Sequence, residues 1–127
     1  MDNREVKNER KKVVVQSLIG HIKKDSMDSK IKTNLVEGFR KPDKILRKGK
    51  DDTNGYVPDV ISEKEGSVDL YEIEMSERDY QLEKWRLFSL YSLKSKGKFN
   101  IVTPKNKIDH LKDMLDEHKI HANIIYF

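Results

Sequence analysis

Asp59, Glu72 and Glu74 are the residues in this chain whose types and spacing suit chemistry. They lie in two extended-looking runs, Tyr56–Ser62 and Val68–Met75, which are rich in β-branched and aromatic residues. The intervening Glu63-Lys64-Glu65-Gly66-Ser67 is short enough for an antiparallel hairpin. Side chains alternate along a strand, so Glu72 and Glu74 share one face while Tyr71, Ile73 and Met75 share the other. Asp59, just after Pro58 on the partner strand, can face the same glutamates. Carboxylates gathered this closely repel one another unless a positive group sits between them. A hard divalent cation with oxygen ligands fits that place.

The elements that must position these residues can be read on either side of the hairpin. From about Arg4 to Lys24, Val14/Val15, Leu18/Ile19 and Ile22 form a helical stripe. Arg4, Lys7 and Lys11 line another, basic face that reads as solvated surface or phosphate contact. Ile31–Phe39 suits either a short helix capped by Gly38 or a strand. Pro42 breaks it, Asp43–Lys48 reads as a strand, and Gly49–Gly55 as a loop. After the hairpin, Ser76 suits a helix N-cap with Asp79 at capping-box spacing. That helix is expected to run from Glu77 to about Lys96 and stop at Gly97. Its apolar residues are spread around the circumference, which predicts a mostly buried helix or a subunit contact. Phe99–Thr103 is a strand, Asn106 caps a helix ending near Lys119, and Ala122–Phe127 is a last strand. The predicted order is α, β-β-β, α, β, α, β. The step from Val68 to Thr103 joins parallel strands. The fold class is therefore α/β: a mixed sheet with an antiparallel meander, flanked by helices in three layers.

Composition narrows the function classes. At 127 residues the chain is about one domain. Hydrophobic residues make up 35% and charged ones 38%, polar for a folded chain but with clear apolar segments. There is no cysteine, which excludes disulfides and thiolate metal sites. No apolar run is long enough for a membrane span, and the first residues lack the apolar core of a secretory signal, so a cytoplasmic location is expected. The net charge of +4 is unevenly spread. Residues 1–50 hold 15 Lys/Arg against 7 Asp/Glu, residues 51–80 hold 2 against 10, and residues 81–127 hold 9 against 5. An acidic centre between basic flanks suits a protein that grips a polyanion at its periphery. It equally suits the solvated surface of a Lys-rich protein. Four scattered histidines, without a cysteine, make no zinc site, and no Gly-rich phosphate loop or nucleophile motif is present.

Pro58-Asp59, twelve intervening residues, then Glu72-Ile73-Glu74 resembles the PD-(D/E)XK nuclease motif, in its variant with an acid in place of the lysine. The element order resembles the αβββαβ core of that superfamily, with an extra α-β. Gln81-Leu82-Glu83-Lys84-Trp85 is similar to the Q-x-x-x-Y signature of its RecB-type members, with Trp85 in place of the tyrosine. The resemblance implies a restriction-endonuclease-like sandwich over residues 43–127, preceded by a basic helix in residues 1–25. It also implies metal ligation of Mg²⁺ or Mn²⁺ by Asp59, Glu72 and the carbonyl of Ile73, and hydrolysis of DNA or RNA by a homodimer. Glu74 stands where the family pattern has lysine, and Lys84 is similar to the relocated lysine of some members; Gln81 joins the implied catalytic set. Plainer readings stand beside these: Asp59 caps a turn, Glu74 is a solvated strand end, and Gln81 and Lys84 are surface residues. A nuclease-fold domain that binds nucleic acid or protein without cutting is the alternative.

Overall fold

In a computed structural model the chain is an α/β fold of three helices and a five-stranded mixed sheet, described over residues 3–46, 55–76 and 80–127. The elements are α1 (Asn3–Asp25), β1 (Lys30–Thr33), β2 (Val60–Lys64), β3 (Ser67–Ile73), α2 (Leu82–Lys94), β4 (Phe99–Thr103), α3 (Ile108–Glu117) and β5 (Asn123–Tyr126). Sheet order follows chain order. β1, β2 and β3 are antiparallel neighbours, while β3, β4 and β5 run parallel. The predicted order of elements holds, and so do the hairpin and the parallel step through α2.

Alternation in the strands sends apolar side chains to both faces of the sheet, and each face is covered by helix. Val60, Tyr71, Ile73 and Val102 pack with Val15, Leu18, Ile19 and Ile22 of α1. The alternate residues Ile61, Leu70 and Ile101 pack with Trp85 and Phe88 of α2 and Leu111 and Leu115 of α3. The helices and sheet thus make three layers with a core on either side.

Four local expectations are corrected. The first of the three meander strands is Lys30–Thr33, not Asp43–Lys48, so the sheet draws on residues ahead of 43. Lys30–Thr33 alternates, with Ile31 and Thr33 buried and Lys30 exposed. Ile45 and Leu46 are adjacent apolar residues of which only Ile45 is buried, and Ile45 makes a single bridge to Tyr56. Residues 47–54 lie outside the described residues, as does Asp79 of the expected capping box. The second correction is at the start of α2: Gln81 holds the N-cap position without a side-chain cap, and Ser76 hydrogen-bonds Glu74 instead. Third, α2 is not mostly buried. Trp85, Phe88, Ser89 and Ser92 face inward, while Leu90, Tyr91 and Leu93 remain exposed. Fourth, Asn106 sits inside a 3₁₀ turn, Lys105–Lys107, and Lys107 precedes α3 at the N-cap.

The end of α2 differs from expectation in its reason rather than its place. Lys96, with φ of 58°, is the left-handed residue. The N–H of Lys96 donates to Leu93 O and that of Gly97 to Ser92 O, the pair of bonds that defines a Schellman ending. Gly97 is required for space: a Cβ there would lie 1.7 Å from the carbonyl oxygen of Val68 on β3.

Candidate active site

The hairpin register places the site. Val60 pairs with Tyr71, which brings Asp59, immediately before β2, to the carboxyl end of β3. Pro58 is fully buried and anchors the entry to the strand. The main chain of Asp59 is held by Thr33 at the end of β1, whose hydroxyl donates to Asp59 O at 2.7 Å and accepts from Leu35 N at 3.1 Å. Asp59 Oδ2 accepts the N–H of Ile73 at 2.8 Å. In an extended strand a residue's N–H and C=O project to the same side, so the Ile73 carbonyl is also turned toward the strand that carries Asp59.

Glu72 belongs to the α2 face of β3, the same face as Leu70, and its side chain is 3% exposed. Lys84, on the first turn of α2, places Nζ 3.0 Å from Glu72 Oε1. That oxygen has no well-angled hydrogen-bond donor, so the contact is a charge pair rather than a directed bond. Burial pushes the Glu72 carboxyl well above the usual carboxylate range. The nearby carboxylate of Asp59 adds to the rise, and Lys84 opposes it. The two acids therefore lie close enough to interact. From the opposite layer, Lys11 of α1 places Nζ 3.1 Å from Asp59 Oδ1. Two carboxyls and two ammoniums meet where three layers converge.

Other candidates do not join them. Glu74 follows β3 and turns its Oε1 onto Ser76, accepting the N–H at 2.9 Å and the hydroxyl at 2.6 Å. Gln81 is exposed at the head of α2. Tyr71 lies on the α1 face, where burial, then Asp69 and Asp25, pushes its hydroxyl up to about 12. Two contributors are not legible in the sequence. Helical spacing groups Lys11 with Arg4 and Lys7 on a basic face and does not say which of them reaches a strand; the side chains of Arg4 and Lys7 lie outside the described residues. Thr33 belongs to a segment whose element type the sequence leaves open.

Whether these residues suit a cation follows from their chemistry. Asp59, Glu72 and the Ile73 carbonyl are hard oxygen donors on two adjacent strands, and the two carboxyls face each other at an electrostatic cost that a divalent ion would remove. Among the described residues no group of three or more acidic or histidine side chains gathers at one point. A sparse set suits Mg²⁺, which keeps several waters and takes one or two carboxylates. The donors fit.

The chain matches no known family model, no curated protein and no solved structure.

The buried charge has a measurable consequence. The folded protein holds the Glu72 proton more tightly than the unfolded chain does. That contribution to stability is complete below the ordinary carboxyl value of 4.5 and is lost as pH rises through the raised, folded-state value. Glu72→Gln keeps the shape without the charge, so it is expected to be more stable than the parent near neutral pH. The gap should close as pH falls toward 4.5. Urea midpoints at several pH values measure it; a gap that widens on acidification would contradict the assignment of Glu72 as the strained acid.

Proposed function

We propose that the protein is a metal-dependent nuclease with a restriction-endonuclease-like fold, hydrolysing phosphodiester bonds in DNA. One observation carries this reading. Asp59, immediately before β2, and Glu72, on the adjacent antiparallel strand β3, lie close enough to interact, and the first lysine of the following helix lies 3.0 Å from the second acid.

Each residue then has a task. Asp59 and Glu72, with the Ile73 carbonyl, would hold Mg²⁺ or Mn²⁺, which when bound polarises the phosphoryl group and supplies an activated water. The Ile73 N–H fixes one oxygen of Asp59, so the carboxylate meets its ligand without rotating. Lys84 favours the charged form of Glu72, partly opposing the burial that raises its carboxyl. Its ammonium would also donate to the water or to a non-bridging phosphate oxygen, the task of the lysine that the resemblance expects two residues after the second acid. Glu74 occupies that sequence position and is committed to Ser76. The helix therefore takes over what the strand does not provide.

A second reading is supported by a different observation. Lysines already neutralise both acids, Lys11 at 3.1 Å and Lys84 at 3.0 Å, which suits a domain that binds nucleic acid and cuts nothing. Supercoiled and branched DNA, incubated with Mg²⁺ or Mn²⁺ and in parallel with EDTA, separates the two. The expected result is cutting that needs the metal and is lost in a Glu72→Gln preparation. Binding that weakens steeply with salt, without cutting, would establish the second reading. Neither binding nor cutting would remove both.

A further inference from the structure

The two lysines hold their acids in different ways. Lys84 and Glu72 are 19% and 3% exposed, whereas Lys11 and Asp59 are 30% and 14% exposed. Breaking the Lys84 pair would leave the deeply buried Glu72 carboxylate without a counter-charge, which is strongly unfavourable. Lys11, on α1, makes the more exposed pair, which water screens, and its flexible stem can swing into solvent at little cost. The oxygens of Asp59 are also divided. Oδ2 is engaged by the N–H of Ile73, which leaves Oδ1 as the oxygen to meet an incoming cation, and Lys11 covers Oδ1.

We propose that Lys11 is a displaceable cation, competing with the divalent metal ion for Asp59 Oδ1 and leaving that oxygen when the metal binds. This rests on the reading of Asp59 and Glu72 as metal ligands. Without metal, the ammonium offsets the repulsion between the two acids and keeps the pocket from carrying an uncompensated charge. A divalent ion brings twice the charge to the same oxygen and replaces it. Lys11 is thereby released beside the pocket, with its charge free for a phosphate of the bound strand. Lys11 is a positioning residue on this view, and its removal should help the metal while weakening the hold on nucleic acid.

Isothermal titration of the full chain with Mn²⁺ in the absence of DNA tests this without recourse to activity. Lys11→Met is expected to bind Mn²⁺ about tenfold more tightly than the parent, since a competitor has been removed. Lys11→Gln carries the same expectation if the methionine variant fails to fold, and Lys11→Arg should stay close to the parent because it keeps the charge. Unchanged or weaker Mn²⁺ binding in folded Lys11→Met and Lys11→Gln would overturn the proposal, leaving Lys11 as a clamp between α1 and the sheet. That outcome leaves the nuclease reading intact. Absence of Mn²⁺ binding in the parent and in every variant would instead overturn the nuclease reading, and the competition with it.

Discussion

Asp59→Asn combined with Glu72→Gln is expected to lower DNA cleavage at least about a thousandfold, which corresponds to roughly 4 kcal/mol of lost transition-state stabilisation. The pair of amides is chosen because it separates charge from structure. Asp59→Asn still presents an oxygen to the Ile73 N–H, which Asp59 now accepts at 2.8 Å, so the strand ends should keep their places. Glu72→Gln fills the same buried volume and removes a charge that burial disfavours. Lys11 and Lys84 lose their partners, but both side chains are partly exposed and can turn to water. The double variant should therefore fold with near-parental stability and bind Mn²⁺ far more weakly, and any residual nicking measures contamination. Lys84→Met alone is expected to lower cleavage by about a hundredfold, the usual consequence of deleting one preorganised group that stabilises developing charge. Parental cleavage rates in the folded double variant would end the assignment of these two acids.

Gly97→Ala is expected to destabilise the protein by about 3 kcal/mol or more, a large fraction of the roughly 5–15 kcal/mol typical of a domain. The added carbon would sit 1.7 Å from Val68 O and 2.4 Å from Val68 C, and backbone atoms have no rotamer to escape into. Relief would require β3 to move away from the end of α2, next to where Leu70 N donates to Lys98 O and Lys98 N to Asp69 Oδ1. Those bonds begin the parallel pairing of β3 with β4. Chemical denaturation with an unchanged m value gives the size of the loss. An alanine variant as stable as the parent would mean that α2 and β3 do not approach as closely as described. The strain lies at the end of β3 opposite the carboxylates, so molecules that remain folded should keep the parental affinity for Mn²⁺.

Much of the fold is legible in the sequence because it depends on local rules. The stripe Val15, Leu18, Ile19 and Ile22 has helical spacing, and Phe99–Thr103 is a short apolar run closed by proline; both elements occur as the pattern predicts. Alternation from Val68 to Met75 already puts Glu72 opposite Tyr71 and Ile73, as observed. Where local rules compete, the sequence is silent or misleading. Ile31–Thr33 lies in a run that suits a short helix or a strand alike, and it joins β1 because Ile31 and Thr33 find burial against β2 and α1. Asp43–Lys48 has the better composition, but Ile45 there makes only a single bridge to Tyr56, and residues 47 and 48 fall outside the described residues.

The site divides along the same line. Residue order alone determined that Asp59 and Glu72 sit on neighbouring strands, because a tight hairpin fixes its register and side chains alternate with period two. It also determined that Lys84 lies on the next helix, though only the structure, in which α2 begins at Leu82 rather than Glu77, puts it on the first turn. Which cation meets which acid was decided only by packing. Lys11 is distant from Asp59 along the chain and reaches it because α1 covers one face of the sheet, while Lys84 reaches Glu72 because α2 covers the other. The Glu74 side chain instead bonds Ser76, just past the end of β3. Contacts of this kind follow from how the layers stack, a property of the whole chain that no window of residues contains.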